Sequence, residues 1–287
     1  MALDQRSRSR RRPIREYQLA AVLFAFIVAV VVTVFVIVVR SPGEPSSTPA
    51  PSASSSSTPS VTSRVAPFSS TASRPPAVDR YGVRLEDTGA DSGVALAQDA
   101  AGRVDPADPA YLRAAPTGLQ WQRGWDGAAL PVSASDGPTR ISGGVATGFA
   151  RTPQGAALAG LDATARALAA PDGEWESVVR QRFYGEPDMV EVLLDRYRLA
   201  RARTVDAARY VVVPDGVRLM GGYDGELAVV ETATRDGAGG YSVSSLAMVW
   251  VDGDWRVRIP GVVEQFWAPP RHVMSIEDFG AWKGGPR

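Results

Sequence analysis

Hydrophobic and polar positions follow three different rules along the chain. The first apolar block begins at Leu19, ends at Val39 and is broken only by Thr33. At about 1.5 Å of rise per residue, a helix over residues 19–39 spans roughly 31 Å, the thickness of a bilayer's hydrocarbon core. The block is longer than the apolar stretch of about 7–15 residues in a secretory signal. Val36, Ile37, Val38 and Val39 also run straight into Arg40 without a small-residue exit. The pattern predicts an uncleaved transmembrane helix. In residues 41–77, 25 of 37 positions are Ser, Pro or Thr and Phe68 is the one large aromatic, so the segment is expected to be a disordered linker.

Periodicity of 3.6 appears from Thr152 onward. Thr152 and Pro153 supply an N-cap and a first-turn proline, and Leu158, Leu161, Ala165 and Leu168 recur on one face until Pro171. A second helix is expected from Gly173 to Tyr184, with Gly185 as its C-cap. A third is expected from Met189 to about Arg203, capped by Asp188. After Thr204 the period falls to 2, with candidate strands over 207–213, 217–220, 226–235, 241–251 and 255–259. They are separated by Gly- and Asp-rich turns such as Asp252-Gly253-Asp254. Helices followed by an antiparallel meander predict an α+β fold in which the helices cover one face of a curved sheet. The organisation read from these patterns is a head over 1–18, the span over 19–39 and the linker over 40–77. An extended, partly ordered segment over 78–144 follows and packs on a domain over 145–265, and 266–287 form a tail.

Charge sharpens this picture. The 31 basic and 31 acidic residues cancel overall, but Arg6, Arg8, Arg10, Arg11, Arg12 and Arg15 precede the apolar block and only Arg40 directly follows it. Arg10, Arg11, Arg12 and Arg15 therefore read as a topology signal, with the N-terminus cytoplasmic, the bilayer contacted through residues 19–39 and the C-terminal domain outside. Residues 78–287 carry a net charge of −6, which argues against direct binding of nucleic acid by the outer domain.

Candidate chemistry is sparse. Without Cys and with His272 as the one His, thiolate metal sites, disulfides and multi-His centres are excluded, and no cofactor or metal is expected. Glycine pairs such as Gly221-Gly222 precede no Gly-Lys-Ser/Thr and are turns. Glu231 or Asp195 with Tyr197 or Tyr241 would be the acid and phenol of an enzyme using a pocket in the fold. The plainer reading is a solvated Glu231 and tyrosines that belong to the core. Trp121 and Trp125 form either an exposed partner-binding platform or a cap on the core. His272 is expected in a surface tail, and Trp267 and Trp282 are expected to pack back on the sheet.

Helices first, then long strands closed by the hairpin Trp250-Val251-Asp252-Gly253-Asp254-Trp255-Arg256-Val257, resemble the cystatin-like, nuclear-transport-factor-2-like superfamily over residues 145–263. With the Arg-rich head, span and spacer, the whole chain is similar to bitopic inner-membrane scaffold proteins of type IV secretion and conjugation channels, although it holds one such domain where some scaffolds hold two. Residues 121–158, with Ala129-Leu130-Pro131 and Ala146-Thr147-Gly148-Phe149-Ala150-Arg151-Thr152-Pro153, also resemble an uncharacterised domain family of actinobacterial integrative elements, which carries over no catalytic residues. The resemblance implies a non-enzymatic, membrane-anchored scaffold that assembles with channel proteins or with copies of itself. Its alternatives are an accessory protein of a lipid or virulence-factor import complex, and a small-molecule-binding or isomerase-like enzyme.

Overall fold

Thr152 starts the first helix as its sequence requires. Its backbone is extended, its Oγ1 accepts the Gly155 N–H at 3.0 Å, and Pro153 takes the first helical position of α1, Pro153–Ala169. A single buried face was expected, but α1 is buried nearly all round, as a helix enclosed between two layers must be. One layer is the sheet, which approaches so closely that a Cβ on Gly160 would lie 3.0 Å from the Met248 sulfur. The other is built by residues expected to be only extended and partly ordered. In the computed structural model, which describes residues 76–283, they form three short antiparallel ladders. These pair β1 (Ala77–Val78) with β2 (Arg84–Leu85), β3 (Gln120–Arg123) with β4 (Ala129–Val132), and β5 (Arg140–Ser142) with β6 (Val145–Thr147). Leu130, Val132 and Ala146 lie fully buried among them. The described residues belong to one compact unit. None of their helices is long and apolar enough to cross a membrane, and the expected head, span and linker up to residue 75 lie outside the described residues.

Helix α2, Glu174–Arg182, stops earlier than expected because Phe183 turns extended and, with Tyr184, forms β7 (Phe183–Tyr184). Helix α3, Pro187–Arg203, starts from Glu186 and not from Asp188: Pro187, with its φ already helical, takes the first position and leaves Asp188 in the first turn. Tyr197 of α3 packs edge-on to Phe183 at 5.8 Å and to Trp267 at 5.5 Å.

The curved sheet runs β7-β11-β10-β9-β8. Its members are β8 (Gly216–Leu219), β9 (Leu227–Arg235), β10 (Tyr241–Val251) and β11 (Asp254–Arg258), antiparallel except for the β7–β11 pair. The expected first strand, 207–213, is a 3-10 turn over Ala207–Tyr210, entered through Asp206 at a φ of 55°. The chain then returns as β12 (Arg271–Val273) beside the first half of β10. His272 thus sits in an edge strand, not a loose tail, with its Nδ1 2.7 Å from Asp236 Oδ2.

The remaining tail closes the free edge of β8. Val217 and Gly280 exchange both backbone hydrogen bonds at 2.9 Å, and the Leu219 N–H reaches the Leu112 carbonyl at 2.7 Å. Trp282 is buried and donates its ring N–H to the Arg113 carbonyl. Lys283, the one Lys of the chain, lies 2.5 Å from Asp215, which also takes the Arg235 guanidinium and backbone N–H. Burial works against the Asp215 charge, but these donors outweigh it and hold the carboxyl down at about 2.

The layers are joined by buried charge. Asp254, at the head of β11, accepts the N–H groups of Gly148 and Phe149 at 2.9 and 3.2 Å and pairs with Arg182 of α2 at 2.7 Å. Arg182 also donates to the Trp255 carbonyl at 2.6 Å. Nearby, wholly buried Asp162 and Arg166 pair at 2.7 Å within α1, and Arg166 reaches the Gly144 carbonyl. Burial pushes the Asp162 carboxyl up, against the opposing pull of Arg166.

All seven tryptophans lie among the described residues, so the tryptophan fluorescence of the full chain in detergent reports this unit alone. Asp254→Ala and Arg182→Ala each strand the opposite charge in the interior and are expected to cost about 3–5 kcal/mol in urea unfolding. Asp195→Ala, on an exposed pair with Arg198, is expected to cost under about 1 kcal/mol. For Asp215 the folded pKa lies below the unfolded one, so its contribution is complete above the unfolded value and is lost as pH falls through about 2. With its two cations partly solvated, Asp215→Asn is expected to cost about 1 kcal/mol at pH 7. That difference should be much reduced in thermal unfolding at pH 2 and vanish at about pH 1.

Candidate functional site

The residues singled out by sequence do not converge on a reaction centre. Glu231 is neither solvated nor in a pocket. It is 7% exposed and holds the Arg218 guanidinium through Nε at 2.9 Å and Nη2 at 2.6 Å, with Arg271 at 3.4 Å. Asp195 stands on the exposed side of α3. Tyr197 lies in the aromatic core, where burial raises its hydroxyl pKa, and Tyr241 is half-buried at the start of β10, opposite Val273. Among the described residues no group of three or more His, Asp or Glu is placed to hold a metal ion.

Trp121 and Trp125 do not form an exposed platform. Trp121 is 3% exposed, and its ring N–H donates to the Trp282 carbonyl at 2.6 Å. Trp125 is half-buried, with the Arg166 guanidinium 5.6 Å from its ring centre. Both close the layer over α1, because large rings are costly to leave in water. Trp282 packs back fully, whereas Trp267 covers Tyr197 and remains partly exposed. Arg10, Arg11, Arg12 and Arg15 lie outside the described residues.

The sheet register reveals a different candidate. Residues directly opposite one another share a face, and the face bearing Val230, Met248, Trp255 and Val257 is the buried one toward the helices. The outer face is divided by a polar belt in which Arg218 lies opposite Glu231, and Glu231 opposite Ser245. On one side of the belt Gly216, Ala233 and Val243 are covered by the tail. A Cβ on Gly216 would lie 2.7 Å from that of Phe279 and 3.3 Å from the end of Ile276.

On the other side the face is open. The pairings Tyr184 with Arg258, and Val229 with Ala247, continue through the Met220 N–H to Val229 carbonyl bond. They place Tyr184, Arg258, Ala247, Val229 and Met220 in one row across the sheet. A second row holds Arg256, Val249 and Leu227. Tyr184, Met220, Leu227 and Val229 are 44%, 41%, 46% and 41% exposed. Arg258 is exposed and makes no ion pair among the described residues. Beyond Met220 the row enters an open cleft of about 360 Å³, lined also by Leu112, Arg113 and Asp278. Such a surface can bury apolar groups and neutralise carboxylates. Sequence reasoning missed it because alternation shows that two faces exist, whereas only register shows which residues stand in a row.

Comparison with the curated proteins and with the solved structures gives no match. Residues 86–281, more than half of the chain, match a family described as a domain of unknown function (DUF8175). The match takes in the β3–β4 and β5–β6 ladders, the three helices, the sheet and the tail through Gly280, and begins just after the β1–β2 ladder. The chain is a member of that family.

Proposed function

We propose that the chain is a non-enzymatic, membrane-anchored assembly component of a conjugation or secretion machine, held by residues 19–39 with its C-terminal domain on the outer side. The observation that carries this reading is the open half of the outer sheet face, where Tyr184, Met220, Leu227 and Val229 stand exposed on adjacent strands, a contiguous apolar surface suited to contact with another macromolecule. The apolar block with its one-sided arginines supports the anchor, and the Ser/Pro/Thr segment supplies reach. Three helices on one face of a curved sheet support the likeness to the cystatin-like, nuclear-transport-factor-2-like fold. Of the two acids a catalytic reading would use, Glu231 is taken up by Arg218 and Arg271 and Asp195 pairs with Arg198 on the exposed side of α3, which weighs against that reading.

The full chain is expected to remain with membranes through alkaline carbonate extraction and to be released on deletion of residues 19–39. Because Lys283 is its one Lys, amine cross-linkers are unsuited to mapping contacts. Benzoylphenylalanine in place of Val78, Val205, Leu227 or Met274, all exposed, is expected to capture a membrane-assembly protein in cells from at least one position. Recovery of the chain in the medium without its first forty residues, or capture of no protein from any position, would overturn the proposal.

A further inference from the structure

The covered half of the outer face displays the chemistry that such a face accepts. The covering stretch reads Ser275-Ile276-Glu277-Asp278-Phe279-Gly280, two acids between two large apolar side chains. Ile276 and Phe279 lie on Gly216, Asp278 pairs with Arg218, and the Arg218 guanidinium sits 4.3 Å from the Phe279 ring centre. One short segment thus satisfies an apolar floor and an arginine together.

The open half repeats those elements, and no described residue covers them. Val229, Ala247, Leu227 and Val249 form the floor, Arg258 stands in the row without an ion pair, and Arg113 is exposed at the cleft on the far end. Neighbouring strands lie about 4.8 Å apart, so from β11 across β10 and β9 to the cleft is about 15 Å, the reach of roughly five extended residues. We infer that the open half of the sheet face docks a segment of a partner protein built like the chain's own 275–280, apolar side chains next to carboxylates that neutralise Arg258 and Arg113. The inference rests on the reading of the domain as an assembly component and names the chemistry of its partner. Against a net charge of −6 over residues 78–287, Arg258 and Arg113 at the two ends of this strip, with Asp278 of the cleft already paired to Arg218, favour a carboxylate-bearing segment there.

The test uses the full chain in detergent with benzoylphenylalanine in place of Val229, offered two synthetic peptides, MSIEDFGA and MSIKKFGA. The acidic peptide is expected to cross-link at least about tenfold more than the basic one. Arg258→Glu is expected to reverse that preference while leaving the fluorescence-monitored melting temperature within about 2 °C. Equal labelling by both peptides, or an acidic preference that survives both Arg258→Glu and Arg113→Glu, would overturn the inference. So would self-cross-linking between copies in place of peptide capture. Failure here is separable from failure of the proposed function: a tethered chain that captures an assembly protein from Val78, Val205 or Met274 but binds neither peptide at Val229 keeps the function and loses this site.

Discussion

One buried carboxylate holds the layers in register. Asp254 stands where the last hairpin turns into β11, the helix α2 reaches it through Arg182, and the loop between β6 and α1 reaches it through two backbone N–H groups. Each partner belongs to a different part of the chain, so this contact fixes the helices, the sheet and the N-terminal ladders against one another. A charge so placed is tolerable because it is paired and its remaining lone pairs are filled by backbone donors. Apolar packing alone would allow the three layers to slide. Directional bonds to one oxygen pair do not.

The legible parts of the fold are those governed by local rules. The start of α1 follows from Thr152 and Pro153, and β10 occupies its expected 241–251 because its turns and alternation are both strong. What sequence alone missed depends on distant partners. Phe183 leaves the helix because β11 offers it a parallel neighbour, and α1 is buried nearly all round because residues 77–147 cover the side that periodicity would leave wet. Asp254 reads as one more turn residue in Asp252-Gly253-Asp254, and nothing nearby announces an arginine 72 positions earlier.

The candidate surface was less legible than the fold for the same reason. Val229, Ala247 and Arg258 come from three strands, and their adjacency is a property of register, not of spacing in the chain. The tryptophans that drew attention first, Trp121 and Trp125, instead close the layer over α1. Polar alternation on β9 and β10 also hides the fact that the outer face is half covered: the tail that covers it begins after Trp267, and its covering residues Ile276 and Phe279 sit three apart around Glu277 and Asp278 in no strand or helix pattern.

The seal along β8 bears on how such molecules can gather. With Val217 joined to Gly280 and Leu219 to Leu112, and with the opposite margin made of the two residues of β7 and the three of β12, neither flank offers a long row of vacant amides on which a foreign strand can template. The described sheet therefore presents no template for a ribbon that lengthens strand by strand. Contacts between neighbours have to be made broadside, through side chains, and a broadside contact can be matched, saturated and released.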